Sequence, residues 1–142
     1  MSTAPIDQSP NSFVGALGFA TMTVRPGDTA AAIGIGDLTV VSNASLLSLM
    51  ESAAIAAINE FFETGISTIA INMSINFVTS AAIGAELQAS AQCVAQSENE
   101  IDFEVEIYEG ERLVAQATQR RQIVDRVTFL ARTAAQSLFE AK

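Results

Sequence analysis

A single acidic residue, Glu51, lies in the middle of an otherwise uncharged and mostly apolar stretch. Between Asp37 and Glu60 no other residue carries a charge. Removing an ionised carboxylate from water without a partner is strongly unfavourable, so Glu51 is expected to be paired, protonated or directed into a cleft. Two interpretations follow. Glu51 reaches solvent at the edge of a helix, or it is a catalytic or ligand-facing carboxylate.

The residue types that are missing narrow the chemistry. The chain has no histidine and one cysteine, Cys93. The absence of histidine excludes histidine-dependent metal sites, the Ser-His-Asp triad and a Cys-His pair, and one cysteine excludes an intramolecular disulfide. We therefore predict no metal site and no resident cofactor, and we expect Cys93 to be a small buried hydrophobic residue.

Length and charge indicate one acidic domain. The 142 residues suffice for one sizeable core, and the net charge of −9 argues against nucleic acid or an anionic membrane surface as a partner. The N-terminus lacks the basic and apolar regions of a secretory signal, so a cytoplasmic protein is expected. Residues 1–12 are predicted to be a flexible arm and residues 13–142 a single domain.

The element that must position Glu51 is a long helix over about residues 43–63. Leucine, alanine, isoleucine and phenylalanine recur there at three- and four-residue spacing. Ser42 and Asn43 are both good N-cap types, and Gly65 can end the helix. Apolar residues cover more than half of the circumference, so we expect other structure to wrap this helix.

Alternating apolar and polar residues predict strands on both sides of this helix. A last helix is expected from about Arg126 to Phe139. Together these elements predict an α+β fold in which a curved antiparallel sheet wraps around one central helix. The predicted strands are Phe19–Val24, a short strand within Thr29–Val41, Ser67–Val78, Glu86–Ala95, Ile101–Tyr108 and Arg112–Val124.

Three segments, in this order, resemble the hotdog-fold acyl-CoA thioesterase superfamily, and most closely its fluoroacetyl-CoA thioesterase-like family. Residues 46–54, LLSLMESAA, are similar to that family's central helix. Residues 75–84, INFVTSAAIG, resemble a strand followed by a turn and a glycine. Residues 117–124, ATQRRQIV, resemble the family's last strand. The resemblance implies a hotdog fold, with catalytic sites at the interface of a homodimer or homotetramer.

The resemblance also implies site residues. It places the family's catalytic glutamate on Glu51, its helix-start threonine on Asn43 and its strand histidine on Asn76. Glu51 would be the general base or nucleophile, and the first N–H groups of the helix would form the oxyanion site. Two alternatives stay open: Asn43 is only a helix cap, and Asn76 is a buried amide satisfied at a subunit contact.

Three arginines are candidates for the phosphates of coenzyme A, because arginine pairs with phosphate in a fork. They are Arg120, Arg121 and Arg126, each of which is alternatively a solvated surface residue. The predicted function is hydrolysis of an acyl-CoA or acyl-carrier thioester. The competing prediction is a non-catalytic hotdog module that binds an acyl thioester or acts as an oligomeric scaffold. Hydratase chemistry is a more distant third, because on this fold it commonly relies on an Asp-His pair.

Overall fold

The computed structural model describes residues 12–140, so the predicted arm lies almost entirely outside the described residues. Short 3₁₀ turns occur at Pro26–Asp28 and Asn59–Phe61. None of the helices within the described range is long and apolar enough to cross a membrane. In chain order the main elements are β1 (Leu17–Thr23), α1 (Asn43–Ile58), β2 (Ile66–Phe77), β3 (Glu86–Gln96), β4 (Glu100–Glu109), β5 (Arg112–Asp125) and α2 (Arg126–Glu140).

The strands form one antiparallel sheet in the order β1-β3-β4-β5-β2. The edges of the sheet are therefore β1 and β2. Residues directly opposite each other share a face, and the paired row Ala91, Val105 and Ala117 marks the inner face that meets α1. The outer face is mostly polar, with Gln92, Glu104 and Thr118 in the neighbouring row.

The buried face of α1 packs mainly over β1 and β3. Gly18 on β1 is the closest point of approach, because a Cβ at this position would collide with the Ala53 carbonyl oxygen and the Ala57 nitrogen. Only glycine lets strand and helix come this close. The buried residues of the helix are Leu46, Leu49, Met50, Ala53, Ala54, Ala57 and Ile58.

The helix ends earlier than the predicted residue 63. It stops at Ile58, a 3₁₀ turn follows through Phe61, and Phe62 is extended. The rings of Phe61 and Phe62 both lie 5.2 Å from the ring of Phe13. Phe61 and Phe62 therefore pack on Phe13 instead of continuing the helix.

The sheet wraps around α1 as predicted, but in the single chain it covers only one side of the helix. The side of α1 that points away from β1 is open, with Leu47 36% and Ile55 42% exposed. The inner face of β2 is also only partly covered, since Phe77 at its end is 43% exposed. Together these residues leave an apolar opening between α1 and β2.

The prediction of a short strand within Thr29–Val41 is also wrong. Only isolated bridges occur there, Thr29 with Val41 and Val40 with Ala82. Gly34 and Gly36 have φ values of +83° and +79°, which an extended strand does not allow. The segment is therefore a folded loop that leads into α1.

A β-bulge between Ala70 and Asn72 interrupts the regular alternation predicted for β2. Ala70 lies opposite Arg121 and Asn72 lies opposite Arg120, so Ile71 is the additional residue. The bulge changes which side chains face inward. Simple alternation would place Ile69, Ile71, Met73, Ile75 and Phe77 on one face. Met73, Ile75 and Phe77 do share the inner face, but before the bulge the inner positions belong to Thr68 and Ala70.

The C-terminal helix α2 follows β5 without a loop and contacts little else in the chain. From Arg126 to Phe139 its side chains are exposed except Phe129, which is partly buried. Val127 is 75% exposed, and Leu130 and Leu138 are 59% and 65% exposed. The predicted helix is confirmed, but its apolar face has no cover within the described chain.

Candidate active site

The structure pairs Glu51 with Arg121. The Arg121 Nη1 group donates a hydrogen bond of 3.0 Å to Glu51 Oε1. The arginine side chain is 4% exposed and the glutamate side chain 32% exposed, so the cation is buried and the carboxylate reaches the surface. Glu51 is thus paired, as expected for a carboxylate in an apolar stretch, and it is also accessible from the open side of α1. These contacts are compatible with both interpretations of Glu51.

Three further hydrogen bonds fix the guanidinium. Arg121 Nη1 also donates to Gln119 Oε1 at 2.8 Å, Nε donates to Thr68 Oγ1 at 2.9 Å, and Nη2 donates to the Thr68 carbonyl at 3.2 Å. Arg121 belongs to the inner face of β5 and Thr68 to β2. Acceptors on β2 and β5 therefore fix the position of the guanidinium, and Arg121 in turn fixes one oxygen of Glu51 on α1.

The β-bulge in β2 makes this arrangement possible. If β2 alternated regularly through Ile71, with no bulge, Thr68 would share a face with Asn72 and Ser74 and would point outward. Thr68 and Gln119 are the two site residues that sequence reasoning missed. A signal for the pairing was present, because an arginine at an inward position of a strand needs a buried acceptor, and Glu51 is the one acid on the facing helix.

The start of α1 is capped by Ser42 and not by Asn43. Ser42 Oγ accepts a hydrogen bond of 3.0 Å from the Ser45 amide, and Ser42 is 1% exposed. Asn43 is the first helical residue and is exposed. Within residues 12–140 the amides of Asn43 and Ala44 have no hydrogen-bond acceptor, so they are free to bind one.

Glu51 and the free amides lie on the same helix but not in contact. Glu51 lies eight positions after Asn43, which corresponds to about 12 Å along the axis. Side chains on a helix lean toward its N-terminus, so the carboxylate of Glu51 extends part of the way back. The remaining gap is large enough for a water molecule or a small acyl group.

Asn76 is not brought to Glu51. It lies opposite Gln116 on the outer face of the sheet, in a polar groove shared with Ser74, Glu104 and Glu106. The sheet itself separates this groove from α1. The predicted catalytic contact of Asn76 with Glu51 is therefore not made within one chain.

The three candidate phosphate ligands lie in three different environments. Arg121 is buried in the pair with Glu51. Arg120 is on the outer face, where its Nε and Nη2 groups donate to Asp102 at 2.7 and 3.1 Å, and these hydrogen bonds hold the pKa of Asp102 below its usual value. Arg126, at the start of α2, is exposed and forms no ion pair with the described residues.

An open cleft of about 370 Å³ lies between the end of α1 and the start of β2. Ile55, Ile58, Phe62 and Ile66 give it apolar walls, and Arg126 stands at its border. Thr68 belongs to both the cleft and the Arg121 hydrogen-bond network. The cleft therefore adjoins the Glu51 site, and its volume falls in the range of small-molecule sites.

The described residues contain no group of three or more acidic, cysteine or histidine side chains that could hold a metal ion. Cys93 is 1% exposed, and burial raises the pKa of its thiol to about 11. A thiol in this state is not a nucleophile. Glu51, held by Arg121 and still 32% exposed, thus remains the candidate for a reactive side chain.

Similar structures share this architecture. The fluoroacetyl-CoA thioesterase FlK superimposes with a TM-score of 0.81 at 16% identity, covering 87% of this chain and 96% of that one. A thioesterase-superfamily protein from Thermus thermophilus gives a TM-score of 0.81 at 21% identity, with coverages of 91% and 96%. A hot-dog-like protein from Thermanaerovibrio acidaminovorans gives 0.78 at 16% identity, with coverages of 87% and 91%. These likenesses confirm the predicted hotdog fold.

Sequence comparison gives the family. No curated protein sequence matches this chain. The sequence model of the fluoroacetyl-CoA-specific thioesterase family matches residues 24–127, which include α1, every strand from β2 to β5 and the Glu51–Arg121 pair. The predicted thioesterase superfamily is thereby confirmed, and this chain belongs to the fluoroacetyl-CoA-specific thioesterase family.

Proposed function

We propose that this thioesterase hydrolyses acyl-CoA, with Glu51 as the general base or nucleophile and the first turn of α1 as the oxyanion site. The observation that carries the proposal is the Glu51 carboxylate itself. One oxygen is held by a buried arginine, while the side chain remains 32% exposed beside an open cleft. Such an arrangement fixes the carboxylate and leaves its second oxygen free for water or a substrate carbonyl.

Arg121 has a positioning role in this proposal and does not bind phosphate. Its donors are directed to Glu51, Gln119 and Thr68, and its side chain is 4% exposed. A phosphate would have to displace these acceptors from a closed environment. Arg121 instead fixes the orientation of Glu51 and compensates its negative charge.

The first turn of α1 provides the partial positive charge that would stabilise the oxyanion. The free amides of Asn43 and Ala44 point out of the helix N-terminus, where the helix dipole adds to their attraction for an anion. Hydrolysis by a water molecule activated at Glu51 accommodates the distance of about 12 Å along the helix axis better than direct attack does.

We also propose that the protein acts as a homodimer paired through the β2 edges. β2 is a long unpaired edge whose Ile69 and Ile71 are 39% and 45% exposed. An exposed edge of this kind is a template for pairing with a second strand. The second copy would cover the opening between α1 and β2 and complete the cleft.

The remaining arginines are the candidates for binding the phosphates of coenzyme A. Arg126 borders the cleft and is free to meet a phosphate of coenzyme A. Arg120 is already occupied by Asp102 on the opposite face of the sheet. A catalytic contact from Asn76 would require a different assembly, because pairing two sheets edge to edge keeps their outer faces on the same side.

The test is release of free thiol from short, medium, branched and aromatic acyl-CoA substrates. Glu51→Gln is expected to lower hydrolysis by about a hundredfold or more, the loss expected for a general base. Glu60→Gln, on the exposed turn after the same helix, is the matched control and should retain the wild-type rate. Asn76→Ala is likewise expected to retain it. A rate unaffected by Glu51→Gln would refute the proposed role.

The competing function is an acyl-thioester-binding module without catalysis. The observation that favours it is the ion pair, because Glu51 also serves to neutralise a buried arginine. In that case the wild-type protein would bind acyl-CoA in calorimetry but would release no thiol from any substrate of the panel.

A further inference from the structure

We propose that α2 is an arm that packs on a second copy of this chain, over Phe77 and Val78 at the end of β2. The first observation is the exposure of its apolar face. Val127, Leu130, Ala134 and Leu138 follow one another at three- and four-residue spacing, and the large ones among them are 59–75% exposed. This spacing forms one continuous stripe along the helix.

The second observation is that α2 has little reason to be stable alone. It has 15 residues, and isolated helices of that length are marginal in water. Most helical stability in proteins comes from packing of an apolar face, and the described part of the chain offers this face no cover. The cover therefore comes from outside residues 12–140, and we assign it to another molecule.

The position of α2 identifies that molecule as a second copy. Asp125, directly before α2, lies opposite Ile66, the first residue of β2. If two β2 edges pair antiparallel about their middle, Ile66 lies opposite Phe77 of the second copy. The chain then enters α2 two strand spacings, about 10 Å, from that Phe77.

The second copy presents a matching surface at this point. Its Phe77 and Val78 are 43% and 49% exposed. A helix of 15 residues is about 22 Å long, which is enough to cross the junction and cover both side chains. Charge also favours the contact, because α2 carries two arginines and one glutamate within a chain of net charge −9.

The contact would bring α2 near the active site of the second copy. In each chain the segment after β2 adjoins the start of α1, since the Val41 amide donates to the Ala81 carbonyl at 2.9 Å. An arm over Val78 therefore lies beside the first turn of α1, the proposed oxyanion site. The inference rests on the proposed β2-paired dimer, but not on the role of Glu51.

Cysteine cross-linking between two differently tagged chains tests the inference. Leu130→Cys in one chain and Val78→Cys in the other should form a disulfide across copies under mild oxidation. The native Cys93 gives little background because it is 1% exposed. Gln136→Cys, on the opposite face of α2, is the matched control and should cross-link to Val78→Cys at about a tenth of the rate or less.

Light scattering and thiol release on the same samples distinguish a failure of the proposed arm from a failure of the proposed function. Leu130→Glu is expected to weaken the dimer by about tenfold or more, and Gln136→Glu should leave it unchanged. A dimer that forms without the Leu130 cross-link, or equal cross-linking from Gln136, would overturn the arm. A monomer that binds phosphatidylglycerol vesicles through Leu130 would assign the helix to a membrane surface and also overturn it. Glu51-dependent turnover in any of these cases leaves the proposed function standing.

Discussion

The Glu51–Arg121 pair should respond asymmetrically to removal of its two partners. Glu51→Ala leaves a guanidinium that is 4% exposed without its counter-charge, so we expect a loss of about 3–5 kcal/mol in the free energy of unfolding. Arg121→Met removes the buried charge and leaves a carboxylate that is already 32% exposed. Its cost should be about 1–3 kcal/mol, because the substitution leaves the acceptors of the buried Gln119 and the partly buried Thr68 without their hydrogen bonds.

Urea unfolding at fixed protein concentration measures both values, and the double variant completes a thermodynamic cycle. Arg120→Met is the matched control, because this arginine forms its ion pairs at the exposed outer face. It should leave the unfolding midpoint unchanged within error. A larger loss for Arg121→Met than for Glu51→Ala would refute the reasoning, because it would mean that the arginine is not the desolvated partner.

Three other positions give independent tests. Gly18→Ala forces a methyl group into the backbone of α1 and should destabilise by about 3 kcal/mol or more, whereas Gly27→Ala, which meets nothing within 4 Å, should be neutral in thermal unfolding. Ser42→Ala removes the N-cap hydrogen bond and should cost about 1 kcal/mol, while Asn43→Ala should cost much less; the reverse order would make Asn43 the cap. The Cys93 thiol, with its pKa raised to about 11, should not react with a disulfide reagent at pH 8 until the protein is unfolded. Rapid reaction of the native protein would show that Cys93 is accessible.

Simple periodicity predicted most of the fold, because β3, β4 and β5 each alternate between a buried face and a mostly polar one. The alternation of Ile101, Phe103 and Val105 identified β4, and the apolar run around Glu51 identified α1. The prediction of a strand after Thr29 was wrong for a local reason. The apolar residues there lie in a loop, because two glycines in the segment adopt positive φ. The early end of α1 depends on contacts with Phe13, 48 positions from Phe61, which no local pattern contains.

The site was predicted only in part, because it depends on which face of the sheet each residue occupies. Resemblance aligned Asn76 with a catalytic position, yet the register places it on the outer face. Arg120 and Arg121 are adjacent in sequence and were grouped as phosphate ligands, but adjacent strand residues point to opposite sides. One arginine therefore forms ion pairs at the surface, and the other supports Glu51 from within.

The bulge at Ile71 divides β2 into two halves with different structural roles. The half after it continues the apolar core, and the half before it turns Thr68 toward Arg121. Deleting Ile71 would join the halves into one regular strand in which Ala70 is followed directly by Asn72, so Thr68 would still face Arg121 and Met73 would still face the core. The bulge is thus the position at which β2 can lose one residue while the Arg121 contact and the apolar core both keep their side chains.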